Sequence, residues 1–184
     1  MSGWNPARWR VPLGFALAAV FLLRARPDAR SLAWGLPLAF CGLALRALAA
    51  GYIEKNAALT TSGPYRRMRN PLYLGSLLLA AGFLLAARDW VTALLAAALL
   101  IGVYLPVIRR EERYLQERFG EQFTMYARAV PRFWPRLARQ DFSPRQATAF
   151  SWSRYFRHRE YNALMGYLLV GAALMFKLWW RVHG

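Results

Sequence analysis

The chain has 184 residues, 57% of them hydrophobic and 15% aromatic, and a formal net charge of +16. The length fits one domain, and so much apolar character beside so lopsided a charge excludes an ordinary soluble protein; the two coexist when apolar residues span a membrane and cations fill the loops. A single cysteine, Cys41, excludes an intramolecular disulfide and a thiolate cluster, and His158 and His183 lie too far apart to form a His-rich site, so no metal is expected.

Five apolar segments follow in chain order. Residues 11–23 are uncharged but short, covering about 20 Å of a roughly 30 Å hydrocarbon core unless Trp9, Arg10 and Arg24 anchor them in the interface. Arg8 and Arg10 ahead of this run also fit a signal peptide, but Arg24 to Asp28 is a poor cleavage context. The second segment is 31–52, with Pro37 as a kink and Arg46 near one end. The third (71–87) and fourth (90–108) are separated by Arg88 and Asp89 alone, which predicts a tight helical hairpin. Gly75, Ser76, Ala80, Gly82, Ala93, Ala97 and Gly102 recur along it, and such small residues let helices pack closely in lipid. The fifth segment is 161–180.

Charge orients this all-α bundle. Lys55, Arg66, Arg67 and Arg69 fall in 53–70, and twelve arginines against five acids in 109–159. The positive-inside rule puts both stretches in the cytoplasm and the Arg88–Asp89 turn outside, with the N-terminus inside; Arg24, Arg26 and Arg30 then run against the rule. The arginines flank apolar blocks instead of forming one stripe, which points to membrane lipid and away from nucleic acid. Arg46 and Lys177 are expected to snorkel toward headgroups, and residues 151–160, mixing cations with aromatics, to lie in the interface.

Two cytoplasmic stretches are richer in functional side chains than loops require. In the first, Gly63 and Pro64 mark a turn, Asn70 suits the cap of the third helix and Pro71 its first turn. Tyr65 and Tyr73 flank that cap as an aromatic wall. In the second, at 100° per residue, Ile108, Glu112, Leu115, Phe119, Phe123, Tyr126 and Val130 share one face. Glu112 is the acid on that apolar stripe, with Glu111 at its edge. A carboxylate there must be paired or catalytic, because an unpaired buried charge is costly; pairing to a loop arginine and a helix break at Gly120 are the structural alternatives.

Taken together, Arg69, Asn70, Pro71, Leu72, Tyr73, Leu74 and Gly75, followed by Glu111, Glu112, Leu115, Phe119, Gly120, Phe123, Tyr126, Val130, Pro131, Arg132 and Pro135, resemble the isoprenylcysteine carboxyl methyltransferase family and its bacterial relatives. The resemblance covers about residues 50 to 136. Asn70 stands where that family has His, Phe123 where Tyr is usual, and residues 137–184 lie beyond the motif. It implies a helical, non-Rossmann methyltransferase that binds S-adenosylmethionine at the cytoplasmic helix ends, under the segment after the fourth span, and takes a lipophilic or lipidated acceptor sideways from a bacterial inner membrane. One membrane domain is expected, with N-terminal helices in 1–52, the methyltransferase-like core in 53–136 and a basic segment plus last helix in 137–184.

In-line methyl transfer is mostly a matter of alignment. Under this resemblance Tyr65, Tyr73 and Tyr126 would face the cationic sulfonium, and Asn70, Pro71, Leu74, Gly75, Glu111, Val130 and Pro131 would complete the cofactor site. Arg132 and Arg69 would position an acceptor carboxylate through bidentate contacts. Glu112 would take a proton from an amine acceptor, hold the cofactor's ammonium, or orient an arginine. The competing classes are an NADPH-dependent enzyme like the membrane sterol reductases and a non-enzymatic membrane module.

Overall fold

A computed structural model describes residues 6–53, 58–136 and 148–184, with side chains from Pro12 onward. Lys55, the stretch 137–147 and the side chains of Trp9 and Arg10 lie outside this description. The described residues are helical: α1 (Pro6–Arg24), α2 (Ala29–Tyr52), a 3-10 turn (Gly63–Arg66), α3 (Pro71–Ala87), α4 (Trp90–Leu99), α5 (Leu105–Ala129), α6 (Trp152–Arg157) and α7 (Tyr161–His183). No strand occurs among them. Three helices are long and apolar enough to cross a bilayer, namely Ala29–Tyr52, Trp90–Ala129 and Tyr161–His183; Pro12–Arg24 and Pro71–Ala87 are apolar but shorter. The fold is a helical membrane bundle, with the five apolar segments as its helices.

The fourth segment does not stop at Ile108. α4 and α5 form one 40-residue rod, joined through a π-helical stretch at Leu100–Tyr104. Pro106 has no N–H for the carbonyl of Gly102, and the helix widens just ahead of it. At Gly120 (φ 50°, ψ −120°) the rod breaks direction. Gln116 bridges the break, its Nε2 donating to the Gly120 carbonyl at 3.2 Å and to Thr124 Oγ1 at 2.9 Å.

The small residues act differently from the sequence expectation. Glycines of α3 pack on α2, not on α4. A Cβ on Gly82 would sit 2.6 Å from the carbonyl oxygen of Gly35, and one on Gly42 2.5 Å from that of Gly75. Gly35, Gly42, Gly75 and Gly82 thus let two antiparallel backbones touch, the close approach that association in lipid rewards. α3 meets α4 only sparingly, and Ala80, Ala93 and Ala97 line a gap between them.

One end of the bundle is closed by paired charges. Asp89 caps α4 through the Thr92 N–H (3.1 Å) and binds Arg24 at 2.9 and 3.0 Å. Arg88 bonds Asp28, which caps α2 in a reciprocal capping box with Ser31. Arg24 and Arg88 are thus each paired with a carboxylate at this end. Lys177 does not reach for headgroups; its Nζ donates to the carbonyls of Leu22 and Leu23 at 2.6 and 3.2 Å, capping the end of α1. Arg46 also departs from snorkelling, pairing with Glu160 at 2.9 Å at the other end.

Candidate active site

Chain pairing builds the site. The backbone ahead of α3 runs beside the segment after α5: Arg69 N–H donates to the Pro131 carbonyl at 2.8 Å, Asn70 N–H to Arg132 at 3.2 Å, and Arg136 N–H to Arg67 at 3.1 Å. Tyr126 Oη donates to the Tyr65 carbonyl at 2.7 Å. Leu59, Phe123, Tyr126 and Val130 form a small buried core beneath. These bonds bring the two sequence motifs into one wall.

Glu112 is the hub of that wall. Its residue is 9% exposed. Arg132 approaches it through Nε (3.1 Å to both carboxylate oxygens) and Nη2 (2.5 Å), and Arg69 Nε stands 3.7 Å away. Asn70 occupies the cap position of α3 but makes no capping bond with its side chain; instead its Nδ2 donates to Glu112 Oε1 at 3.0 Å. The sequence alternative of a loop-arginine partner for Glu112 is thus realised. Both arginines proposed to hold an acceptor are turned toward this carboxylate.

A polar cavity of about 570 Å³ opens beside the hub. Tyr65, Arg69, Asn70, Tyr73, Glu111, Glu112 and Tyr126 all line it, as do Arg46, Ser76, Tyr104, Arg118 and Phe119. Tyr73 Oη donates to Glu111 at 2.8 Å. Burial raises the Tyr65 hydroxyl well above the ordinary tyrosine range, so it remains a protonated donor at neutral pH. Tyr65 Oη and Arg69 Nε are buried without a hydrogen-bond partner. Pro71, Leu74, Gly75, Val130, Pro131 and Arg132 are not in the lining. Pro71 opens α3, Leu74 continues it with its N–H on the Asn70 carbonyl at 3.0 Å, Gly75 packs on α2 near Arg46, Val130 belongs to the small core and Pro131 offers its carbonyl to Arg69.

A second cavity, about 560 Å³ and almost wholly apolar, lies between α1, α3 and the α4–α5 rod. Leu17, Leu77, Ala81, Leu84, Ala97 and Ile108 are among its walls, and Tyr73, Ser76 and Tyr104 line both cavities. The Tyr73 and Tyr104 rings meet edge to face with centroids 6.5 Å apart. Sequence reading missed Arg46, Ser76 and Tyr104 as residues of the polar cavity. A signal existed for Tyr104, which precedes Ile108 and Glu112 by four and eight residues and so shares their helix face.

Known proteins are similar to this chain in sequence. A family model described as phospholipid methyltransferase matches residues 38–122. The cobalt-zinc-cadmium resistance protein CzcN of Cupriavidus metallidurans is 40% identical over 141 residues, 71% of this chain and 63% of that protein. The nickel-cobalt-cadmium resistance protein NccN of Alcaligenes xylosoxydans is 35% identical over 46% of this chain and 39% of its own. Protein-S-isoprenylcysteine O-methyltransferase B of Arabidopsis thaliana is 33% identical over 42% of this chain and 40% of its own. The chain thus spans less than two thirds of the length of these relatives. No solved structure matches. Residues 38–122 of this chain match the phospholipid methyltransferase family model, and this core is similar to the protein-S-isoprenylcysteine O-methyltransferases.

Proposed function

We propose that this chain is an S-adenosylmethionine-dependent methyltransferase that modifies a lipophilic acceptor, a carboxylate foremost, at the cytoplasmic face of the membrane. The observation that carries the reading is the junction of a polar and an apolar cavity at Tyr73, Ser76 and Tyr104. A reaction between a soluble cofactor and a lipid needs two such compartments meeting at one point. The family match and the isoprenylcysteine methyltransferase relatives support the chemistry, and the arginines around the polar cavity support its cytoplasmic orientation.

The residues of the polar cavity suit the cofactor. Bound S-adenosylmethionine would supply an electrophilic methyl group on a cationic sulfur. Tyr65, Tyr73 and Tyr126 offer aromatic faces to a cation, and the orphaned Tyr65 hydroxyl and Arg69 Nε offer buried donors that a polar ligand would satisfy. Glu112 already accepts from Asn70 and Arg132, so its task is to orient these groups, not to abstract a proton. A carboxylate acceptor needs no base, which fits a site whose carboxylates are engaged. The apolar cavity would hold the acceptor's tail, and the Tyr73–Tyr104 pair would separate it from water.

Calorimetry on detergent-purified protein tests the reading with S-adenosylmethionine, its demethylated product and NADPH. Binding of the methyl donor and its product, weakened by Glu112→Gln, is the expected result. Binding of NADPH instead would support a reductase, and binding of none a non-enzymatic module.

A further inference from the structure

The arginines expected to meet an acceptor, Arg69 and Arg132, are both directed at Glu112. Of the arginines that line the polar cavity, Arg118 donates to Tyr114 Oη at 3.1 Å and lies over the Phe119 ring. Arg46 remains. It enters from α2, within the membrane bundle, and its side chain is 24% exposed.

Three contacts fix its guanidinium. Nε and Nη2 donate to the two carboxylate oxygens of Glu160 at 3.1 and 2.9 Å, and Nη1 donates to Ser76 Oγ. Ser76 lines both cavities, so the guanidinium stands beside the point where a tail in the apolar cavity would present its head. These bonds use three of the five N–H donors that a guanidinium carries and hold its plane, leaving donors on Nη1 and Nη2 for a ligand.

Glu160 is brought there by an unusual piece of chain. Ser151 N–H and Arg154 Nε both donate to the Gly51 carbonyl, at 3.0 and 2.8 Å. The Phe150 ring lies where a Cβ on Gly51 would be. The segment thus crosses the end of α2, and Arg159, a non-glycine residue at φ 54°, turns it so that Glu160 points back at Arg46. Left-handed backbone at such a residue persists when surrounding structure demands it, and it gathers at functional sites. Glu160 lies beyond the residues matched by the family model.

Resting on the methyltransferase reading, we propose that Arg46 binds the anionic head of the acceptor at the junction of the two cavities, with Glu160 and Ser76 as its positioning residues. The C-terminal segment is then part of the active site and sets its preference for an anionic acceptor.

The probes are S-farnesylthioacetic acid and its primary amide, which differ in charge but hardly in shape, titrated into the full chain in detergent. Wild type should bind the acid about tenfold more tightly than the amide. The double variant Arg46→Gln/Glu160→Gln keeps an uncharged hydrogen-bonding pair; it should bind both alike, with the amide held about as tightly as by wild type and the loss confined to the acid. If the double variant does not fold, Arg46→Lys keeps the ion pair and should lose part of the preference, because an ammonium lacks the planar fork. An equal preference in wild type and variants, or none in wild type, would overturn the assignment, since a purely structural ion pair changes melting temperature but not selectivity. Acid preference without S-adenosylhomocysteine binding would keep the anion site and remove the methyltransferase reading.

Discussion

Asn70 and Glu112, 42 positions apart, are joined by a buried hydrogen bond of 3.0 Å from the amide to the carboxylate. An imidazole N–H can donate to the same oxygen, so Asn70→His should fold and bind S-adenosylhomocysteine as wild type does. Asn70→Leu removes the donor and should cost about 1–3 kcal/mol, read as a lower melting temperature in detergent. Asn70→Asp places a second carboxylate against the first and should be the worst of the three. Equal melting temperatures across the set would show that the bond is incidental.

Glu112→Gln tests the hub itself. The change preserves shape but leaves Arg69 and Arg132 without their counter-charge, and Arg132 is free to swing into solvent because its side chain is 42% exposed. Affinity for S-adenosylhomocysteine should fall about tenfold, equivalent to about 1.4 kcal/mol. The melting temperature should move less than in a fully buried pair, since exposure screens the interaction. Unchanged affinity would mean that the wall does not face the cofactor.

Much of the fold was legible in the sequence, for a simple reason: a bilayer forces long apolar runs, and those runs set the helices. Of the seven residues read onto one face, Ile108, Glu112, Phe123, Tyr126 and Val130 are buried and Leu115 and Phe119 half-buried despite the break at Gly120, because the residues after the break pack on Leu59 and Tyr65 instead of continuing one straight stripe. What could not be read was partner choice. Glycine spacing shows that a helix wants a close neighbour but not which one, so Gly75 and Gly82 met α2 when α4 was expected. Arg46 looked like a snorkelling cation because its partner, Glu160, is 114 residues away. Two cavities meeting at Tyr73 and Tyr104 are a property of packing, with no signature in local pattern.

The α2–α3 contact supplies a sharp comparison between glycines. A side chain at Gly82 would strike the backbone of Ala39 and of Gly35, so Gly82→Leu must pry the helices apart. A loss of at least about 2 kcal/mol is expected, with a matching drop in melting temperature. A Cβ on Gly102 would meet nothing within 4 Å, and Gly102→Ala should leave stability unchanged or raise it by up to about 1 kcal/mol through helix propensity. Similar effects at the two positions would refute the role of close packing.

Acid should loosen the charged end of the bundle. Bonds from Arg24 and then Thr92 hold the Asp89 carboxyl well below its ordinary value. A depressed carboxyl contributes stability that is present above its unfolded pKa, about 3.9, and is lost as pH falls through its folded value. Melting temperature should therefore decline below about pH 4, and Asp89→Asn should be less stable at neutral pH but less sensitive to acid. Parallel pH profiles for the two proteins would assign the acid response elsewhere.

The apolar cavity is the remaining test of how substrate reaches the junction. Ala97 lines it from α4, and Ala81 from α3. Because α3 and α4 touch only sparingly there, Ala81→Phe and Ala97→Phe can fill the gap without displacing a helix. Each should weaken binding of a prenyl-tailed acid by about tenfold, the loss of about two buried methylenes of contact. S-adenosylhomocysteine should bind as before, since the polar cavity proposed for it shares only Tyr73, Ser76 and Tyr104 with the apolar one. Loss of both ligands together would indicate that the two cavities are one compartment, and loss of neither would mean that the tail lies outside the bundle.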